Sequence, residues 1–217
     1  MNIRNRGYKK QHAFKNIILN HIENNIREYF IIGLLFLIGL FVGVIFVNNL
    51  SSEQSSYISN YLQNSISDLT SEQEIDKFLL LKDSISKNFS LVILLWFMGS
   101  TVIGIVIVYL IIIFRGFCLG YTISSIIFTF GTVKGSLFLI SSMLIHNIIL
   151  IPCLISLGVS GIKLYKSIMH DRRKENIKLE IIRHTLFSIF AFIVLIFSSI
   201  IEAYVSTEIL DFTIQYF

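Results

Sequence analysis

Proline is almost missing from this chain: one residue in 217, which excludes Pro-rich linkers. Cysteine is nearly as rare. Cys118 and Cys153 both lie inside long apolar runs, so neither belongs to a disulfide framework of the kind that secreted domains use. Each reads as a small apolar packing residue. Charge is scarce too. Asp, Glu, Lys and Arg make up 15% of the residues, against about 25% in soluble domains. Glycine is sparse, and much of it falls inside the apolar runs, as in membrane helices. There is no Gly-rich phosphate loop, no His-Glu-x-x-His and no Gly-x-Ser-x-Gly, so hydrolase and nucleotide signatures are absent. No helix holds a chain of acidic residues of the kind ion pumps use. The reading is therefore of a non-enzyme with no catalytic residue, no cofactor and no metal.

What the chain has is oil. Residues 30–47, 91–114, 116–133, 135–162 and 185–201 contain no Asp, Glu, Lys or Arg. A helix needs about 20 apolar residues to cross the hydrocarbon core, and each run is near or above that length. The mean hydropathy of +0.73 and the 54% hydrophobic content agree. The expected fold is all-α: one membrane domain of five transmembrane helices over 30–47, 91–114, 116–133, 136–162 and 185–205. The third, being short, reads as either a short helix or a re-entrant hairpin. The first is preceded by too long a lead for a cleaved signal peptide and reads as an uncleaved membrane helix.

Orientation follows from charge. With the N-terminus inside and five crossings, residues 1–29, Arg115 and 163–184 are cytoplasmic. They carry 14 of the 18 basic residues, whereas 9 of the 14 carboxylates fall outside. The positive-inside rule then selects N-in, C-out. The net charge of +4 is thus a topology signal and does not indicate nucleic-acid binding. The run His170-Asp171-Arg172-Arg173-Lys174-Glu175 reads as a solvated topology determinant.

Between the apolar runs the chain still has helical pattern. In the basic N-terminal tail, Phe14, Ile17, Ile18, Ile22, Ile26 and Tyr29 recur at three- and four-residue spacing. That is an amphipathic helix, either lying on anionic lipid or simply leading into the first span. In the extracytoplasmic loop 48–90, Ile58, Leu62, Ile66 and Leu69 share a helical face. Ser71 and Glu74 form a capping box, after which Ile75, Phe78, Leu79, Lys82, Ile85 and Phe89 continue a second short helix. These apolar faces need cover from the bilayer, from each other or from a partner, and Phe78 and Leu79 are the candidate partner contacts. Gly39-x-x-x-Gly43, Gly116-x-x-x-Gly120 and the pair Gly158 and Gly161 are small-residue seams. They permit close packing within one chain, the default, or a homo-oligomer.

Polar groups at membrane depth are costly and are functional candidates. His146 and Asn147 sit about 15 Å into the fourth run at 1.5 Å per residue, near the midplane. Pro152 frees a backbone carbonyl near that level. Glu202 lies at the outer end of the last run, on the order of 10 Å from His146 along the membrane normal. That separation argues against direct contact, and one His with one distant Glu is too few ligands for zinc. A buried hydrogen-bond network holding the fourth helix is the favoured use. Arg115 separates the second and third runs and is expected to snorkel to inner-leaflet phosphates.

Three segments carry a resemblance. Phe114-Arg115-Gly116-Phe117-Cys118-Leu119-Gly120-Tyr121 is similar to the basic-Gly-Phe-x-x-Gly-Phe signature of the stage II sporulation protein M family. His146-Asn147-Ile148-Ile149-Leu150-Ile151-Pro152, followed by Gly158 and Gly161, resembles its next signature. Ile200-Ile201-Glu202-Ala203-Tyr204-Val205 resembles its C-terminal segment. The wider family often has Gly after the His and Glu at the place of Leu150; Asn147 and Leu150 fit the sporulation branch better. The resemblance implies a non-enzymatic scaffold in the septal and engulfing mother-cell membrane of an endospore-forming bacterium. It also implies assembly with stage II sporulation proteins D and P, which cut and remodel peptidoglycan. A reading from another class is a permease-like subunit for a small or lipidic solute, with His146, Asn147, Pro152 and the short third run forming a broken-helix site.

Overall fold

The computed structural model describes residues 22–23, 25–70, 76–101, 103–170 and 174–214. All elements among them are helical. They are α1 (Ile26–Asn48), α2 (Ser52–Thr70), α3 (Lys77–Gly99), α4 (Gly104–Phe130), α5 (Thr132–Leu139), α6 (Ile145–His170), α7 (Lys174–Ile200) and α8 (Thr207–Ile214). A π-helical segment, Ile140–Leu144, joins α5 to α6 without a break, and a second, Ile201–Ser206, joins α7 to α8. Two long continuous rods result.

Local chemistry sets the ends. Asn49 Nδ2 donates to the Ile45 carbonyl at 2.8 Å, the oxygen that also accepts the Asn49 backbone N–H at 3.1 Å, and so closes the last turn of α1. The Asp76 carboxylate accepts from the backbone N–H groups of Phe78 and Leu79, both at 3.0 Å, and so starts α3. In the turn from α3 to α4, Thr101 Oγ1 donates to the Met98 carbonyl and accepts from the Gly104 N–H, each at 3.1 Å. Gly131 adopts φ 79°, a left-handed conformation natural to glycine, and turns the chain from α4 into α5.

Side-chain periodicity sets the packing. α3 buries Ser84, Asn88, Val92, Leu95 and Gly99, one helical stripe. Ile32 and Phe36 of α1, Val108 and Ile112 of α4, Leu150, Leu154 and Leu157 of α6 and Leu195 of α7 complete the core with Val92 and Leu95. The outer faces are apolar as well, with Phe41, Leu110, Phe114, Leu186 and Phe197 all exposed. A surface of that kind needs lipid, not water. Four helices, Ile26–Asn48, Gly104–Phe130, Ile145–Met169 and Ile177–Leu210, are long and apolar enough to cross a membrane. The chain is a multi-helix membrane protein.

The two glycine seams meet each other. Methyl groups on Gly39 and Gly43 would overlap the carbonyl oxygens of Ile113 and Phe117, and methyl groups on Gly116 and Gly120 would overlap those of Phe36 and Leu40. α1 and α4 therefore cross backbone to backbone, and these glycines serve packing within the chain. Gly99 and Gly161 form a second close crossing, of α3 on α6: a Cβ on Gly99 would lie 2.9 Å from the Gly161 Cα. Gly158 faces only side-chain ends, those of Ile112 and Ile32.

Three boundaries differ from the sequence expectation. The run 91–114 is not one helix: it is divided by the turn after Gly99. The run 116–133 is neither a separate helix nor a hairpin, because α4 passes straight through Arg115 and ends at Phe130. Arg115 lies about 17 Å from the start of α4 at 1.5 Å per residue, mid-helix and not in a connecting loop. The expected second loop helix is the first half of α3, so the segment between α1 and the bundle is shorter than 48–90. α2 is present as expected. Residues 14–21 of the expected N-terminal helix, the Ser71–Glu74 capping box and positions 171–173 of the charge run lie outside the described residues.

Candidate functional site: a polar cavity inside the bundle

Four helical elements bring polar side chains to one place. Ser84 and Asn88, four apart on α3, share its buried face, and Asp83 and Lys87 stand beside them. α4 contributes Arg115 and Thr122, α6 contributes His146 and Asn147, and Glu202 comes from the second π-helical segment. They line a cavity of about 340 Å³.

One wall is a continuous hydrogen-bond network. Ser84 Oγ donates to Glu202 Oε2 at 2.5 Å and lies 2.9 Å from Ser199 Oγ. Asn88 Nδ2 donates to Ser199 Oγ at 2.9 Å. His146, only 7% exposed, sets its Nδ1 2.8 Å from Ser198 Oγ and 3.4 Å from Glu202 Oε2. Ser198 Oγ also donates to the His146 carbonyl at 3.2 Å. Buried polar groups are tolerable only when so satisfied. The other wall differs. Lys87 pairs with Asp83 at 2.5 Å on the exposed side. Asn147 Nδ2 is spent on the Met143 carbonyl of its own helix, at 2.9 Å. Arg115 lines the cavity, and among the described residues no hydrogen bond or ion pair is made by its guanidinium.

The π-helical segments explain the placement. A π turn inserts a residue into the helical repeat and shifts the phase of the side chains after it, a device found frequently at functional sites. The segment 140–144 precedes His146 by one residue, and 201–206 contains Glu202. Both phase shifts occur where α6 and the end of α7 face each other across the cavity.

The structure thus joins Arg115, His146, Asn147 and Glu202. Three expectations are corrected. His146 and Glu202 are in direct contact, not on the order of 10 Å apart. The end of the uncharged run is not the end of the helix: α8 continues to Ile214, which places Glu202 about 18 Å short of that end. Arg115 lines the cavity from the middle of α4 and does not sit in a connection between two helices. Pro152 lies within α6 beyond the cavity. Phe78 and Leu79 do not line it, although the next residue, Leu80, does, and they are 70% and 63% exposed.

Sequence reasoning missed Ser84, Asn88, Ser198 and Ser199. The signal was their place on the apolar stripe of α3 and in a Ser-Ser pair just before Glu202. It also missed His184, whose Nδ1 lies 2.9 Å from Ser160 Oγ in a second buried cluster beside the Gly99–Gly161 crossing. Chemically the cavity offers a guanidinium without a partner among the described residues, a hydrogen-bonded carboxylate and a histidine. Among the described residues no three His, Cys, Asp or Glu side chains group as metal ligands.

The family model described as stage II sporulation protein M matches residues 32–207. No curated protein matches the chain. No solved structure matches it either.

Proposed function

Since the chain belongs to the stage II sporulation protein M family, and its role therefore lies in sporulation, we propose that it is a membrane scaffold that anchors peptidoglycan-remodelling enzymes. Its place is the septal and engulfing mother-cell membrane, and its partners are stage II sporulation proteins D and P. The supporting observation is the segment between α1 and the first half of α3. Tyr57 and Tyr61, four apart on α2, are 74% and 65% exposed, and Phe78 and Leu79 open α3 equally bare. Bare aromatic side chains at the end of a bundle suit a docking surface. α2 is tied back by a contact of 3.3 Å between Ser59 Oγ and Thr129 Oγ1, which holds that surface beside the last turn of α4.

Five crossings, N-in and C-out, complete the reading. α3 is the fifth span: too charged in its first half to qualify on composition, yet packed along α6 and α7. Arg115 drops out of the cytoplasmic set, and the remaining basic excess still falls on the side of 163–184, so the positive-inside argument stands. Cysteines substituted for Tyr57 and Lys178 should then label from opposite faces; labelling from one face refutes the topology. The scaffold reading is tested by Phe78→Asp and Leu79→Asp in sporulating cells. Each variant should insert normally and lose proteins D and P on co-purification. Retained partners would remove this surface from the proposal.

The cavity favours one other reading, a permease-like subunit for a small or lipidic solute. His146→Ala separates the two: a permease loses transport in reconstituted vesicles, whereas a scaffold keeps its partners.

A further inference from the structure

The polar cavity does not stand alone. An apolar groove of about 830 Å³, walled by Val42, Leu94, Leu110 and Phe114, shares Leu91, Arg115 and Cys118 with it. A second, of about 350 Å³ between α4 and the α5–α6 rod, shares Leu119, Met143, Asn147 and Ile151. A charged chamber is thus flanked by two oily grooves.

The charged groups of the chamber differ in what already holds them. Lys87 is neutralised by Asp83. The Glu202 carboxylate keeps its charge but is engaged on the opposite wall, by the Ser84 hydroxyl and His146. The guanidinium of Arg115 has no hydrogen-bond or ion-pair partner among the described residues, mid-helix in a bundle with apolar outer faces, where an unpaired cation is costly. Its planar fork fits a phosphate with two parallel hydrogen bonds. A free phosphate ester would satisfy the fork and leave both grooves unused. An amphiphile with an anionic head and two chains uses all three hollows.

We propose that this chamber holds the phosphate of an anionic phospholipid on Arg115, with the two acyl chains in the flanking grooves. A lipid seated so has its head drawn below the level of its neighbours. It should exchange slowly and survive extraction into mild detergent.

The test uses the full chain, stripped of lipid in a harsher detergent, returned to a mild one and read by native mass spectrometry. Three probes are titrated: dioleoyl phosphatidylglycerol, dioleoylglycerol (the same chains without phosphate) and glycerol 1-phosphate (the phosphate without chains). The wild type should take one phosphatidylglycerol at least about tenfold more tightly than dioleoylglycerol, the size expected of a charge-assisted bidentate contact. Arg115→Gln should bring that ratio to about one, and Arg115→Lys, which keeps the charge but loses the fork, should fall between. Lys178→Gln should leave the ratio unchanged. The proposal is overturned by a wild type without preference, by Arg115→Gln keeping it, or by Lys178→Gln lowering it as much. If glycerol 1-phosphate displaces the lipid at equal concentration, the ligand is a free phosphate ester and the lipid assignment falls. Should Arg115→Gln fail to fold, the wild-type comparison of the three probes and Arg115→Lys decide.

Discussion

Gly39→Ala in α1 and Gly120→Ala in α4 test the packing of the bundle most directly. Each adds one methyl group, and each methyl would overlap a backbone carbonyl oxygen of the facing helix, that of Ile113 or of Leu40. Backbone atoms cannot rotate aside as a side-chain end can, so the helices must part by about 1 Å. A gap of that size forfeits a quarter to a half of the contact energy along its lining, and overpacking of this kind costs about 1–3 kcal/mol. Gly33 is the internal control: it lies in α1 too, and a Cβ there meets nothing within 4 Å. Gly33→Ala should be neutral, or stabilise by up to about 1 kcal/mol through helix propensity. The Gly39→Ala/Gly120→Ala double variant should cost less than the two singles together, because one separation of α1 from α4 relieves both clashes. The assay is thermal unfolding of purified protein in one detergent, all four variants side by side. If Gly39→Ala and Gly120→Ala unfold with the wild type, the backbone contact is not where the structure has it.

Glu202→Leu removes the acceptor of the Ser84 hydroxyl and the partner of His146 and should destabilise by about 1–3 kcal/mol, whereas Glu202→Gln keeps an acceptor and should cost less than half as much; equal unfolding midpoints for the two would count against the network. His184→Leu strands the buried Ser160 hydroxyl, again at about 1–3 kcal/mol. Adding Ser160→Ala should recover part of the loss, and a double variant no more stable than His184→Leu alone would break the pairing.

The class of the fold was legible because its cause is local. A run of about 20 uncharged residues has few fates, and four of the helices are where such runs lie. The glycine seams were legible as close contacts, because Gly-x-x-x-Gly removes side chains from one helical face. Which seam meets which was not legible: Gly39 opposite Ile113 and Gly120 opposite Leu40 is a pairing across the bundle, and spacing along one helix holds no record of it. Ser84 and Asn88 escaped notice for a similar reason. Flanked by Asp83 and Lys87 they look solvated, until α3 is seen to turn that stripe onto Ser199.

Arg115 shows what a charge does and does not say about a membrane helix. Taken as the end of a span, it split α4 in two and moved the helix break at least 12 residues from its true site between Gly99 and Gly104. Arginine is a good helix former, so nothing local obliges the chain to stop there. The real break is made by weak signals: Gly99, the Thr101 hydroxyl closing the turn, and Gly104. A charge ends a span only when the bundle offers it no polar wall, and here the wall is built from residues far away in sequence, on α3, on α6 and at Glu202. The same reasoning relocates Glu202, whose helix runs on past it to Ile214. If the cavity is what permits Arg115 to stay mid-helix, filling it should expel the charge: Ser84→Leu with Asn88→Leu should destabilise the wild type by more than it destabilises Arg115→Leu. Equal penalties in the two backgrounds would mean that Arg115 finds its polar surroundings elsewhere.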